Sequence, residues 1–264
     1  MSRLRVAQWA TGNIGTRSLQ GIIDHPDLEL AGVWVHAADK VGRDAGDLCD
    51  RPATGILATG NLAEIVALRA DCVMYSPSAL VPDEICALLA AGSNVVTTRG
   101  ELHHPPSMDA ALRDRVEEAC AIGATSVHST GSSPGFITEA VPLVLASIQR
   151  RLDRILTRRH GGGPANDRDG SPLRSSSAQF PLKLVRHRAS RAWLGSASDR
   201  MADRVEGDAP LDVELRFPFG MEEMAARSPG YTANRAVNVV PYVCGAAPGI
   251  VTSVDLPQVI ARLG

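Results

Sequence analysis

Lysine is nearly missing from this sequence. Only Lys40 and Lys183 stand among its 27 basic residues, the rest being Arg, and aromatic side chains make up 4% of the chain. Arg for Lys in an Ala-heavy chain is the composition of a GC-rich genome and points to no fold. Cysteine is sparse and scattered (Cys49, Cys72, Cys86, Cys120, Cys244) with no C-x-x-C pair, which argues against a disulfide scaffold or a thiolate metal site and for buried thiols in a reducing cytoplasm. No apolar run approaches the roughly 18 residues that a membrane span needs. Met1-Ser2-Arg3-Leu4-Arg5 runs straight into a strand-like segment without the apolar core of a signal peptide, so a cytoplasmic protein is expected. A nucleophile elbow, a phosphate-binding Walker loop and zinc-finger spacing are also lacking. Net charge is only −2, and 44% hydrophobic content excludes disorder throughout; 264 residues suffice for one large domain or two coupled ones.

What is present is an alternation of strand and helix over the first 150 residues. Leu4–Ala10 reads as a buried strand, followed by a helical pattern in Ser18, Leu19, Ile22 and Ile23 that stops at His25-Pro26. Leu28–Val35, Cys72–Ser76, Asn94–Thr98 and Thr125–Ser129 read as further strands. Helices are expected over about Pro82–Ala91, Ser107–Ile122 (closed by Gly123) and Ile137–Gln149. Strands joined by helical crossovers predict right-handed βαβ units, hence an α/β fold with a doubly wound parallel sheet of Rossmann type.

The turn after the first strand carries the chemistry. Ala10-Thr11-Gly12-Asn13-Ile14-Gly15 is the dinucleotide fingerprint with Ala in place of its first Gly. Gly12 lets a pyrophosphate approach the backbone and Gly15 lets the helix pack against the strand. The N–H groups of the first helical turn, around Asn13 and Ile14, face the phosphates. A bare G-x-x-G is a weak signal; strand before and helix after supply its context.

Other loops at the carboxyl ends of the strands supply the remaining candidates, since ligands of doubly wound sheets bind there. The second strand ends in His36-Ala37-Ala38-Asp39-Lys40, with Arg43 beyond and no carboxylate at the tip. His36, Lys40 and Arg43 suit a 2′-phosphate, which favours NADP, while Asp39 leaves NAD possible. Ser76 and Pro77 are placed beside the nicotinamide ribose. Thr98, Gly131 and Ser133 complete the cofactor-binding set. Glu101 is the one carboxylate that the topology aims at the nicotinamide end, where it could accept a proton or hold an ammonium group; the alternative is an exposed loop Glu. His103-His104 lacks i,i+4 spacing and a neighbouring Cys or Asp cluster, so no metal site is expected.

Several segments together resemble a known group: Val6–Gly15, Asp39–Gly46, Asn94–Thr98, Thr130–Phe136, Gly230–Asn238 and the tail around Asp255-Leu256-Pro257. They look like the dihydrodipicolinate-reductase-like proteins that include 2,4-diaminopentanoate dehydrogenase and the native amine dehydrogenases. The resemblance covers about residues 3–155 and 205–264. It implies a homodimeric NAD(P)-dependent oxidoreductase interconverting a small amine with a ketone and ammonia, with Glu101 at the position that meets the amine. Where members often carry Asn before Pro-Gly-Phe, this chain has Ser133. Dihydrodipicolinate reductase itself matches less well, because His103-His104 lies in the first domain with no Lys following in that enzyme's pattern.

The middle of the chain departs from the group. From Arg158 to Arg204, nine Arg and one Lys face four Asp, in a stretch crowded with Ser, Gly and Pro. Aromatic residues there are limited to Phe180 and Trp193, so a nucleic-acid arm is not the expected reading. Arg, Gly, Pro, Ser and Ala are also what a shifted frame yields in a GC-rich gene. The expected organisation is therefore a dinucleotide-binding domain over 1–150, an atypical, poorly ordered basic segment over 151–210, and over 211–264 the remnant of a truncated α+β substrate and dimerisation domain with a helix returning to the first. With most of that domain missing, a cofactor-binding remnant without turnover, or a redox-sensing module, stands beside the active enzyme as a reading.

Overall fold

The computed structural model describes residues 2–160, 184–188, 200–219 and 221–262. These fall into two compact units, residues 1–136 with 229–264, and residues 137–228.

The first unit is a seven-stranded sheet in the order β11-β6-β5-β4-β1-β2-β3. Its strands are β1 (Leu4–Trp9), β2 (Leu28–Trp34), β3 (Ala58–Thr59), β4 (Cys72–Tyr75), β5 (Asn94–Thr97), β6 (Ser126–Ser129) and β11 (Gly249–Val251), every neighbouring pair parallel. The helices are α1 (Asn13–Asp24), α2 (Leu62–Ala67), α3 (Pro82–Ala90) and α4 (Ala110–Gly123), with the later part of α6 (Met221–Cys244). Strand alternation explains the two-sided burial. Ala7, Trp9, Val73, Tyr75, Val95 and Val127 pack with Ile85 and Leu89 of α3 and Val116 of α4. Their sequence neighbours Val6, Cys72, Met74 and Val96 pack with Ile22 of α1 and Val237, Val240 and Val243 of α6. Buried on both faces, the strands read as unbroken apolar runs.

Three elements of this unit were not foreseen: β3, α2 and the edge strand β11. Asn61 caps α2 by accepting from the Ala63 N–H at 3.0 Å. The helix expected over Ser107–Ile122 starts later, at Ala110, because Asp109 caps it by accepting from the Leu112 N–H. Gly123 closes α4 for a different reason from the usual left-handed stop. The left-handed residue is Ala124 (φ 54°), whereas a Cβ on Gly123 would lie 1.9 Å from the Leu89 carbonyl oxygen. Gly123 is there to let α4 approach α3.

The second unit contains a four-stranded sheet, β10-β9-β7-β8. Its strands are β7 (Leu152–His160), β8 (Leu184–Arg188), β9 (Arg200–Gly207) and β10 (Leu211–Arg216); β9 runs antiparallel to β7 and β10, and β8 parallel to β7. Facing residues form cross-strand ion pairs, Arg154 with Glu206 at 2.8 Å and Arg204 with Asp212 at 2.8 Å. Leu211–Arg216 was expected as a strand; β7 and β9 are strands at the two ends of the segment expected to lack regular structure. The expectation for 161–183 and 189–199, the body of that basic segment, lies outside the described residues. The helix expected over Ile137–Gln149 is shorter, an irregular helical stretch Ser132–Ala140 broken at Ser133, Pro134 and Gly135, then α5 (Val141–Ala146). No helix among the described residues is long and apolar enough to cross a membrane.

Candidate functional site

The first turn adopts the fingerprint conformation despite its Ala. Ala10 takes φ 69°, the left-handed backbone that the first Gly of the motif would supply freely. Hydrogen bonds hold it there: the Ala10 N–H donates to the Trp34 carbonyl at 2.9 Å, and the buried Gln8 amide donates Nε2 to the Ala10 carbonyl at 2.8 Å. That carbonyl fills the space beside Gly15, where a Cβ would stand 2.1 Å from the Ala10 oxygen. At Gly12, by contrast, a Cβ would meet nothing within 4 Å, and as the N-cap of α1 it offers no side-chain cap. The first turn of α1 at Asn13 and Ile14 therefore begins beside open space with its N–H groups uncapped by a side chain, the arrangement that receives an anion.

The end of β2 comes back over this turn. Lys40, in a short 3-10 turn (Ala38–Lys40), donates Nζ to the Thr11 carbonyl at 2.9 Å and to the Thr11 hydroxyl oxygen at 3.1 Å. His36 and Asp39 are exposed, and Arg43 donates to the Asp47 carbonyl at 3.5 Å. Within the Asp39–Gly46 motif, Asp44 is structural. Its carboxylate accepts from the N–H groups of Thr54, Gly46 and Gly55, and these bonds hold it below the usual carboxylate range. Beneath the strand ends runs an aromatic row. The Trp9 and Trp34 rings stack with centroids 4.2 Å apart, Tyr75 lies 5.6 Å from Trp9, and His36 lies 6.1 Å from Trp34. Burial pushes the Tyr75 phenol well up, and its hydroxyl donates to Glu84 at 2.8 Å.

The loops after β4, β5 and β6 are tied together by polar contacts. The Ser76 N–H donates to the Trp9 carbonyl at 3.2 Å and Pro77 follows, half-buried. Arg99 donates Nη1 to the Ser78 carbonyl at 2.7 Å and Nη2 to Glu101 Oε1 at 2.5 Å. Glu101, in the 3-10 turn Gly100–Leu102, is 40% exposed, so it is neither a buried carboxylate nor a freely solvated one. Half-buried Thr98 sits between β5 and this turn. His103 and His104 go separate ways: His103 Nδ1 meets the Ser129 carbonyl at 3.2 Å, and His104 Nδ1 meets Ser107 Oγ at 2.8 Å. Among the described residues no group of three or more His, Cys, Asp and Glu gathers as a metal site.

In the loop after β6, Gly131 is buried and Ser133 is exposed. A Cβ at Gly131 would lie 3.0 Å from the Thr232 methyl, and the Ser132 and Thr232 hydroxyls are 2.9 Å apart. Gly135 (φ 122°) leaves room for Thr130, whose Oγ1 would stand 2.4 Å from a Cβ there.

All the candidate residues thus stand at the carboxyl ends of β1, β2, β4, β5 and β6. Hydrogen bonds join Lys40 to Thr11, Ser76 to Trp9, and Glu101 through Arg99 to Ser78. His36, Thr98 and Ser133 share that edge without such a link. Sequence reasoning missed Gln8, Arg99 and Thr232. A buried Gln inside an apolar strand, and Thr232 on a helix whose face repeats through Ala233, Ala236, Val237 and Val240, were readable signals; nothing marked Arg99. Two features fit a bound dinucleotide: the open face at Gly12, and the buried Ser76 and Thr130 hydroxyls, which find no hydrogen-bond partner among the described residues.

No protein-family model matches the chain. An amine dehydrogenase of Streptomyces virginiae is 35% identical over 159 residues, which takes in 56% of this chain and 43% of that protein, so the chain matches less than half of its curated relative's length. The structure of an amine dehydrogenase from Mycobacterium smegmatis superposes with a TM-score of 0.74 at 16% identity, covering 99% of this chain and 98% of that one. The chain shares that structure's fold. An engineered D-amino acid dehydrogenase bound to NADP+ shares it more distantly, with a TM-score of 0.61 at 13% identity over 97% of this chain and 95% of that one. The resemblance to the amine-dehydrogenase group thus has a match in sequence over part of the chain and in fold over nearly all of it.

Proposed function

We propose that the protein is an NAD(P)-dependent oxidoreductase acting on CH–NH2 groups, interconverting a small amine with a ketone and ammonia. The observation that carries this is the turn Ala10–Gly15, held open at Gly12 and closed at Gly15, with the Glu101 carboxylate on the same sheet edge. The Streptomyces virginiae relative and the Mycobacterium smegmatis structure, both amine dehydrogenases, support the choice of chemistry.

In this reading Gly12, Asn13, Ile14 and Gly15 receive the pyrophosphate. Ser76, Pro77, Thr98, Gly131 and Ser133 line the path toward the nicotinamide, and His36 and Lys40 flank the adenosine end. A nicotinamide coenzyme supplies the hydride-carrying ring when bound. Glu101 meets the nitrogen: its carboxylate accepts a hydrogen bond from the amine or ammonium and takes up the proton that the amine releases. The cationic character of the β2 loop favours NADP, while Asp39 leaves NAD open. Assembly as a homodimer belongs to the same reading and is checked by sedimentation.

Titration with NADPH and NADH against tryptophan fluorescence tests the cofactor part, because Trp9 and Trp34 lie under the strand ends. Saturable quenching, tighter for NADPH, is expected; no saturable change with either coenzyme contradicts the reading.

A further inference from the structure

We infer that Arg99 is the positioning residue of the Glu101 carboxylate, an inference that rests on Glu101 being the amine-facing group. An exposed Arg–Glu pair two residues apart would ordinarily do little, because both side chains must be ordered for a screened attraction. Arg99 is different, since its backbone is fixed on both sides. Its N–H donates to Thr97 Oγ1 at 3.1 Å, and its carbonyl accepts from Ser129 Oγ at 2.7 Å. One arm of its guanidinium is then spent on the Ser78 carbonyl at 2.7 Å, which fixes the plane of the fork and aims the second arm at Glu101. The ordering cost is carried by contacts to β5, β6 and the loop after β4, so the carboxylate meets a donor that is already in place.

The pairing is one-sided. Arg99 Nη2 takes Oε1, and among the described residues no donor takes Oε2. The carboxylate is therefore held by one oxygen and offers the other, which is what a group that must orient an amine nitrogen without turning away requires. The same residue links Glu101 to the segment carrying Ser76 and Pro77, so a merely anchoring role predicts a different result from a positioning role. Anchoring alone would show as weakened coenzyme binding; positioning shows in the turnover of the nitrogen substrate with coenzyme binding intact.

The test is steady-state NADPH and NADH oxidation by the full chain with acetone, butanone or cyclohexanone as probe ketones and ammonium chloride as nitrogen donor. It compares wild type, Arg99→Ala, Arg99→Lys and Glu101→Gln. The expected result for Arg99→Ala is at least a tenfold fall in kcat/KM for ammonia with the coenzyme KM within twofold. Arg99→Lys, which retains a cation but can reach only one of the two acceptors, recovers part of the loss. Should Arg99→Ala fail to fold, Arg99→Lys still decides, since Lys retains the backbone bonds to Thr97 and Ser129; its kcat/KM must then lie below wild type with an unchanged coenzyme KM. An Arg99→Ala protein within twofold of wild type overturns the inference, as does a rise in coenzyme KM matching the loss in turnover. Failure of the underlying reading looks different: wild type shows no ammonia-dependent oxidation, or Glu101→Gln turns over undiminished, and the inference falls with it.

Discussion

Ala10 shows how much of the site rests on single residues. A non-glycine residue at φ 69° is strained by about 1–2 kcal/mol, and the bonds from Gln8 and to Trp34 hold it there. Ala10→Gly removes that strain while freeing the unfolded chain by about 0.4–1 kcal/mol. The expected outcome is a melting temperature unchanged or raised by a few degrees, read by calorimetry; a clear drop would show that the left-handed Ala is not strained. Gly15→Ala is the opposite case, since its Cβ would sit 2.1 Å from the Ala10 oxygen. The turn must open, costing about 1–3 kcal/mol, and coenzyme affinity should fall by more than tenfold in the fluorescence titration. The need for Gly at Gly15 was legible from spacing alone. The contact of Lys40 with Thr11 was not, because it depends on how the 3-10 turn brings the loop back.

His25 gives a residue-scale test of pH dependence. It is buried, and its Nδ1 accepts from the Asp27 N–H at 3.1 Å, a bond that needs the neutral ring. Burial holds its imidazole below the ordinary histidine value, against the opposing pull of Asp27 and with a further push from Arg262. Burial lowers His104 as well, with His103 pushing the same way. The folded state therefore binds fewer protons than the unfolded one around the histidine value, about 6.5. This contribution is present above that pH and is lost as pH falls below it. Melting temperature should decline from pH 7 toward pH 5, and His25→Asn should flatten the decline. An unchanged slope would place the effect elsewhere.

At the scale of elements, the parallel strands were readable because their apolar runs lie between Gly- and Pro-bearing loops. The edge strand Gly249–Val251 is only three residues long and has no periodicity to read; it is a strand because β6 pairs with it. The helix Met221–Cys244 does carry a signal, with Ala233, Ala236, Val237, Val240 and Val243 recurring at helical spacing and all buried. Pro229 and Pro241 inside it mask that pattern. The α3–α4 contact makes a prediction of its own. Gly123→Ala would place a Cβ 1.9 Å from the Leu89 carbonyl oxygen and should destabilise the protein by about 1–3 kcal/mol, seen in urea unfolding, while leaving coenzyme affinity unchanged. An equal loss of affinity would mean that α4 packing reaches the binding edge.

For the molecule as a whole, the alternation of strand and helix told the doubly wound architecture, and the short four-stranded sheet of the second unit has only one strand, Leu211–Arg216, with an alternation that the sequence displays. Leu152–His160 and Arg200–Gly207 are rich in Arg and Asp, and their strand character comes from pairing with each other and from ion pairs such as Arg154–Glu206. Such pairing is a tertiary fact that no local pattern announces. Glu101 was readable as a carboxylate in the loop after β5, while the Arg99 fork that holds it emerged only in three dimensions. One measurement bears most directly on the account: ketone-dependent oxidation of NADPH or NADH with and without ammonia, for wild type and Glu101→Gln. The expected result is oxidation that requires ammonia in wild type and falls at least a hundredfold in Glu101→Gln, with coenzyme affinity unchanged. Oxidation indifferent to ammonia, or a Glu101→Gln protein as active as wild type, would contradict it.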